Sequence, residues 1–267
     1  KKAHAVKLKR ILLKINRHYN ADFEYDHALG RLSAYPHDFS VGLAVLLKGI
    51  FEANIAYNKS FRHLSQHEQN RLVQLLPSLA GHRIGTESTR TFNQEVLLLL
   101  EKIDMKYYTK SIAALMSALT YFIDKKATIN APLLIEKPIT FDTPMGQVII
   151  GSSFDDIFLS PSCLLIDVGG DDHYKQTSGL ADEAFRSSLI IDLAGNDIYR
   201  TTHDKSFASG YLCTSLLYDA AGHDSYEAHD FSCGVGIAGI GVLIDKNGDD
   251  TYKINEFGLG AATYGIG

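Results

Sequence analysis

Between residues 164 and 252 the chain repeats one eleven-residue pattern four times, and a repeat of that kind leaves few folds open. Leu164–Tyr174, Leu189–Tyr199, Leu216–Tyr226 and Val242–Tyr252 each place three apolar residues before Asp-x-x-Gly-x-Asp-x-Tyr. The first Asp falls at Asp167, Asp192, Asp219 and Asp245, so the copies are 25, 27 and 26 residues apart. A degraded copy, Val148–Phe158, keeps Asp156 and an aromatic but carries Gly151 and Phe154 where the others have Asp and Gly. Terminal units of a stack are often atypical in this way.

The pattern has a mechanical reading. The first Asp can accept backbone N–H bonds from the turn that follows it, and Gly gives that turn its freedom. An apolar run enters the turn and an alternating run leaves it. The second Asp and the Tyr (Asp197 and Tyr199, for example) therefore point to one side, and the residue between them points to the other. About 26 residues at roughly 3.3 Å each make three short strands and three corners. Stacked coils then bring Asp172, Asp197, Asp224 and Asp250 into a column facing inward. Two carboxylates about 4.8 Å apart repel by roughly 3–4 kcal/mol at an effective dielectric of about 20. The column needs turn N–H groups, or cations between coils, to balance it. Ca²⁺ suits best, being hard, oxygen-seeking and tolerant of irregular geometry.

The turns Gly170–Tyr174, Gly195–Tyr199, Gly222–Tyr226 and Gly248–Tyr252 resemble the Gly-x-Asp-x-hydrophobic part of RTX, or hemolysin-type, calcium-binding repeats. The resemblance is confined to the turns, because these copies recur about every 26 residues and RTX repeats about every nine. It implies a parallel β-roll in which Asp172, Asp197, Asp224 and Asp250 bind Ca²⁺ and the four Tyr fill the core. With the first motif Asp residues added, the candidate metal ligands are Asp167, Asp172, Asp192, Asp197, Asp219, Asp224, Asp245 and Asp250.

The first half is different in kind. Residues 1–150 hold 20 Lys and Arg against 13 Asp and Glu, and the remainder 6 against 18. Helical spacing of apolar residues predicts about five helices within residues 1–128. They lie near Val6–Tyr19, Phe39–Tyr57, from a capping box at Ser65-Gln66-His67-Glu68, from Thr91, and over Tyr108–Lys125, with Pro77 kinking or shortening the third. Residues 129–137 read as a linker. Ile139–Phe141 and Gln147–Ile150 flank a Pro- and Gly-containing turn, which predicts a hairpin. No apolar run reaches the ~18–20 residues of a membrane span.

A weaker alignment lies between the motifs. Phe207-Ala-Ser-Gly210, Phe231-Ser-Cys-Gly234 and Phe257-Gly-Leu-Gly260 match, each preceded by His203-Asp204, His229-Asp230 or Asn255-Glu256. His203, Asp204, His229 and Asp230, with Ser206, Ser232 or Cys233 close by, are the candidates for hydrolytic chemistry. Against them, catalytic sites are single and this constellation repeats. Cys163, Cys213 and Cys233 show no metal spacing and read as buried thiols.

The apolar run before each first Asp is too apolar for one buried side. With Leu164, Leu189, Leu216 and Val242 taken as facing in, Leu165, Ile190, Leu217 and Leu243 form an outward stripe that needs a cover from the helices or a second subunit.

The chain is therefore expected to be α+β: a helical domain over 1–128, then a parallel β-solenoid over 138–267 that breaks off mid-coil. The expected function is a non-enzymatic repeat scaffold or binding module, stabilised by Ca²⁺, with a protein or polysaccharide as partner. The alternative is a carbohydrate-active lyase or hydrolase on a solenoid face, by analogy of fold alone. The basic run Lys1–Arg17 reads as a solvated helix face, and no nucleic-acid signature is present. An extracytoplasmic or secreted setting is favoured.

Overall fold

The computed structural model describes residues 2–80, 87–127, 133–175 and 187–267. Six helices occupy the first half: α1 (Lys2–Tyr19), α2 (Asp26–Leu32), α3 (His37–Ser60), α4 (Gln66–Ala80), α5 (Glu87–Leu100) and α6 (Met105–Ala127). The seven-residue α2 is the one the sequence did not announce. It contains Gly30 and has no side-chain cap, so neither length nor capping chemistry marks it. The capping box is formed as expected. The Glu68 carboxylate accepts the Ser65 N–H at 2.8 Å, and the Ser65 hydroxyl accepts the Glu68 N–H at 3.3 Å. Pro77 does not end α4, which continues to Ala80, while residues 129–132 of the linker lie outside the described residues. By length and composition α3 could cross a membrane, yet 78% of its most apolar window is buried against the rest of the chain, as in a central core helix.

The second half opens with the antiparallel hairpin β1 (Ile139–Thr143) and β2 (Gly146–Ile150), then winds as a series of short strands. The first coils add β3 (Ile157–Phe158), β4 (Leu164–Ile166) and β5 (His173–Tyr174). Three complete coils follow: β6 (Ser187–Asp192), β7 (Ile198–Arg200) and β8 (Gly210–Tyr211); β9 (Thr214–Asp219), β10 (Ser225–Ala228) and β11 (Gly236–Ile237); β12 (Ile240–Asp245), β13 (Thr251–Ile254) and β14 (Ala262–Thr263). They stack into three sheets, ordered β1-β2-β4-β6-β9-β12, β13-β10-β7-β5-β3 and β14-β11-β8. Apart from β1, every pairing is parallel and in motif register: Asp192 lies beside Asp219, Asp219 beside Asp245, and Tyr174, Tyr199, Tyr226 and Tyr252 follow one another. The degraded copy is the first coil, with Val148 beside Leu164 and Phe158 beside Tyr174. Its missing Asp has a steric reason: a β-carbon on Gly151 would stand 2.0 Å from the Asp167 carboxylate.

Helices cover two of the three sheets. Helices α1, α3 and α6 share a core with the outer side of the first sheet, through Leu164, Ile166, Leu189, Ile191 and Leu216. Residues of α4, α5 and α6 share another with the third sheet, through Tyr211, Ile237 and the corner residues Leu212 and Ala238. The second sheet is left facing solvent, where Lys175, Arg200 and Lys253 are exposed.

The apolar stripe under the helices exists, but its residues are the opposite set from the expected one. Leu165, Ile190, Leu217 and Leu243 do not face out. They pack inside the coils against Tyr174, Tyr199, Tyr226 and Phe207, and Leu164, Leu189 and Leu216 meet the helices. The first motif Asp faces inward, and a strand's period of two puts the residue two places before it inside as well.

The inter-motif alignment also shifts. Phe231 stacks on Phe257 with centroids 5.4 Å apart, but Phe207 pairs with Cys233, whose neighbour Gly234 donates to the Phe207 carbonyl at 3.3 Å. The true period is again 26 residues, and it places Lys205, not Phe207, in register with Phe231. These corners are left-handed in each of the three complete coils: Lys205, Phe231 and Phe257 have φ of 60°, 59° and 49°, and Leu212, Ala238 and Tyr264 have 50°, 44° and 54°. Such a backbone costs an L-residue roughly 1–2 kcal/mol, so something must hold it. Two helices do so at the second column. The Tyr57 hydroxyl of α3 donates to the Leu212 carbonyl, and the Tyr108 hydroxyl of α6 donates to the Ala238 carbonyl one coil on.

Candidate functional site

The corner between the first and second sheets carries the acids, in two columns. The first-position residues Asp167, Asp192 and Asp219 are wholly buried. Asp167 and Asp192 each accept a backbone N–H two residues on, from Gly169 at 2.7 Å and Ala194 at 3.0 Å. Asp192 and Asp219 meet the tyrosine column: Tyr174 donates to Asp192 at 2.5 Å, Tyr199 to Asp219 at 2.8 Å and Tyr226 to Asp219 at 3.0 Å. The tyrosine rings lie parallel and 4.3–4.7 Å apart.

The second-position residues form a ladder between coils. The N–H of Asp156 donates to Asp172 at 2.5 Å, that of Asp172 to Asp197 at 2.6 Å, that of Asp197 to Asp224 at 2.7 Å and that of Asp224 to Asp250 at 2.9 Å. The preceding, exposed position makes a ladder of the opposite sense. There the N–H of Asn196 donates back to Asp171, that of His223 to Asn196 and that of Asp249 to His223.

Backbone donors thus answer one oxygen of each buried second-position carboxylate and leave the other. As carboxylates, Asp167 Oδ1, Asp172 Oδ2, Asp197 Oδ2, Asp219 Oδ1 and Asp224 Oδ2 are buried and accept no hydrogen bond among the described residues. A buried, unsatisfied carboxylate oxygen is costly. Burial, and then the neighbouring acids, push the carboxyls of Asp167, Asp172 and Asp197 well above the usual carboxylate range. The same causes raise Asp219 to about 7, while burial raises Asp224 to about 6 against the hydrogen bond from Asp197. Among the described residues no ion pair reaches these carboxylates; on the helix side half-buried Lys126 of α6 feels the charge of Asp192.

Four groups of three carboxylates follow one another along the column: Asp156/Asp167/Asp172, Asp172/Asp192/Asp197, Asp197/Asp219/Asp224 and Asp224/Asp245/Asp250. In each, one oxygen per residue lies within 4.8 Å of the others. An ion with oxygen ligands at roughly 2.3–2.6 Å, as Ca²⁺ has, spans such a group. The donor set is all oxygen and hard, and the unsatisfied oxygens belong to the same carboxylates, so the residues fit Ca²⁺. All eight metal candidates from the sequence fall in these groups, and Asp156, of the degraded copy, joins them.

The His-Asp candidates lie at the corner between the second and third sheets. His229 Nδ1 meets Asp204 of the preceding coil, and that hydrogen bond, with the charge of Asp204 behind it, raises the imidazole pKa. Asp230 accepts from Asn255 Nδ2 at 2.7 Å and from the Glu256 N–H at 2.9 Å. His203 stands exposed in the same corner. The neighbouring hydroxyls are turned away: Ser206 and Ser232 are buried and bonded to each other at 2.9 Å. Cys163, Cys213 and Cys233 are buried, and burial pushes each thiol up to about 12. An exposed His-Asp pair is present, and neither Ser206, Ser232 nor Cys233 is turned toward it as a nucleophile.

Compared with protein-family models, with curated proteins and with solved structures, the chain matches none of them.

Proposed function

We propose that this chain is a non-enzymatic repeat scaffold, a binding module whose coils are held in register by Ca²⁺ in the carboxylate column. One observation carries the reading: five buried carboxylate oxygens without a hydrogen bond, all within consecutive three-acid groups that divalent cations can span. Four dications would offset the nine Asp charges of these groups almost fully. The acids with raised pKa are largely buried inside the coils, which favours a structural role over acid–base chemistry on a saccharide. The solvent-facing second sheet is the surface available to a protein or polysaccharide partner. Calcium-rich extracytoplasmic surroundings would keep such a column filled.

The test is elemental analysis of the purified protein, with thermal unfolding in Ca²⁺ and in EGTA. Bound calcium and a lower Tm in EGTA support the reading. A protein without metal whose Tm ignores chelator and Ca²⁺ alike would sink it.

A further inference from the structure

We propose that the solvent-facing second sheet binds an acidic polysaccharide, a linear chain of carboxylated sugars laid across successive coils along the solenoid axis. This deepens the scaffold reading above, on whose choice of partner surface it rests, by naming the partner's chemistry. Residues 151–267 hold six Lys and Arg against 18 Asp and Glu, yet three of the six, Lys175, Arg200 and Lys253, fall in one outward row of this sheet. Glu227 lies in register with Arg200 on one side and Lys253 on the other, and Lys175, the residue after β5, continues the row. All three cations are exposed. The tyrosines before them point inward, so the period of two gives the sheet a second outward row: His173, Ile198, Ser225 and Thr251.

The cations are held in place without being used up. Glu227 pairs with both Arg200 and Lys253, the latter at 3.2 Å, while the Arg200 and Lys253 side chains stay 63% and 78% exposed. A guanidinium has five N–H donors and an ammonium three, so each keeps donors for a ligand. The width of the basic row selects the partner. Asp171 and Asp249 stand exposed at one edge of the sheet, and Asp204 and Glu256 at the other. A broad anionic surface, such as a membrane or a nucleic-acid duplex, would be pressed against these acids and repelled. A single chain confined to the row avoids them. Strands about 4.8 Å apart put Lys175 and Lys253 about 14 Å from each other, which calls for an anion whose charges repeat along its length. An acidic peptide would meet the cations and leave the second row idle. A carboxylated sugar chain also presents hydroxyls, which His173, Ser225 and Thr251 can bond.

The 267-residue protein would be titrated calorimetrically, at constant free Ca²⁺, with a galacturonate hexasaccharide, its neutral galactose counterpart and hexaglutamate. The galacturonate chain is expected to bind saturably, about tenfold or more tighter than either of the others, and to be released in about 1 M salt, where surface charges are screened. Arg200→Gln with Lys253→Gln should weaken it about tenfold, and Glu227→Gln, which frees both cations, should strengthen it about threefold. The three side chains point outward, and an unchanged Tm checks that the variants are folded. No binding of the galacturonate chain, binding that does not follow these substitutions, or equal binding of the neutral chain or of hexaglutamate overturns the proposal and leaves the calcium column untouched. Chromatography of the hexasaccharide after the titration tests the scaffold reading separately: a chain that binds and is cut keeps the surface as proposed and refutes the non-enzymatic reading.

Discussion

Gly222 lies so close to Gly195 of the preceding coil that a β-carbon on it would stand 1.9 Å from the Gly195 carbonyl oxygen. Gly195 meets the Gly170 carbonyl at the same distance, and Gly248 meets that of Gly222 at 1.8 Å. The motif glycine is thus a point of close backbone approach between coils. Gly222→Ala is expected to destabilise the protein by about 3 kcal/mol or more, because the obstacle is backbone and cannot rotate away. Urea unfolding followed by circular dichroism should show the lower midpoint; an unchanged midpoint would mean that the coils can spread at no cost.

Asp197→Asn should change stability with opposite signs in two buffers. In Ca²⁺ the variant loses a charged ligand shared by two groups and should unfold at lower temperature than the wild type, by about 1–3 kcal/mol. In EGTA it replaces a carboxyl whose anion burial and neighbouring acids disfavour, while keeping an oxygen for the Asp172 N–H, and should be the more stable of the two. Equal effects in both buffers would separate the column from any cation.

The cation-free protein should weaken as pH rises. Burial and neighbouring acids raise the folded-state pKa of Asp219 to about 7, and burial raises that of Asp224 to about 6, against ordinary carboxylate values in the unfolded chain. The folded state therefore binds more protons than the unfolded one, and ΔG of unfolding falls with pH. The stabilisation is fully present below about pH 4 and is lost as pH passes through 6 and 7. In EGTA, Tm should drop between pH 5 and about pH 8, whereas Ca²⁺ should flatten or reverse the slope. A rising Tm in EGTA over that window would contradict the column's burial.

Tyr108→Phe removes the hydroxyl that donates to the Ala238 carbonyl at a left-handed corner. The ring and its contacts remain, so the loss should be that of one buried hydrogen bond, about 1–2 kcal/mol. Tyr57→Phe should cost a similar amount at Leu212. The two rings touch, 5.7 Å between centroids, so the double variant need not be additive. Hydrogen exchange of the corner amides would locate the effect.

The stacking of the corners was legible because Asp167, Asp192, Asp219 and Asp245 recur at a nearly fixed interval, and chemically identical side chains at a fixed interval can only form columns. The side each apolar residue faces was not, because Leu164-Leu165-Ile166 has no polar member to break the symmetry: helices cover one side and tyrosines fill the other. Asp167, two places after Leu165, held the missing information. Phe207 was misplaced by matching a residue type instead of the 26-residue interval. The ladder at the second Asp left no trace in the sequence, since its donor is the backbone N–H of an equivalent residue. Nor did Tyr57 and Tyr108, which reach across more than a hundred residues to their carbonyls.

The tyrosine stack also makes the protein its own optical probe. The sequence contains no tryptophan, so ultraviolet emission comes from phenol rings. Tyr174, Tyr199, Tyr226 and Tyr252 lie within 10° of parallel along one axis, a geometry in which their transitions couple. Near-ultraviolet dichroism should therefore follow the winding of the coils directly, without a label, and separate loss of the solenoid from melting of the helices that line it.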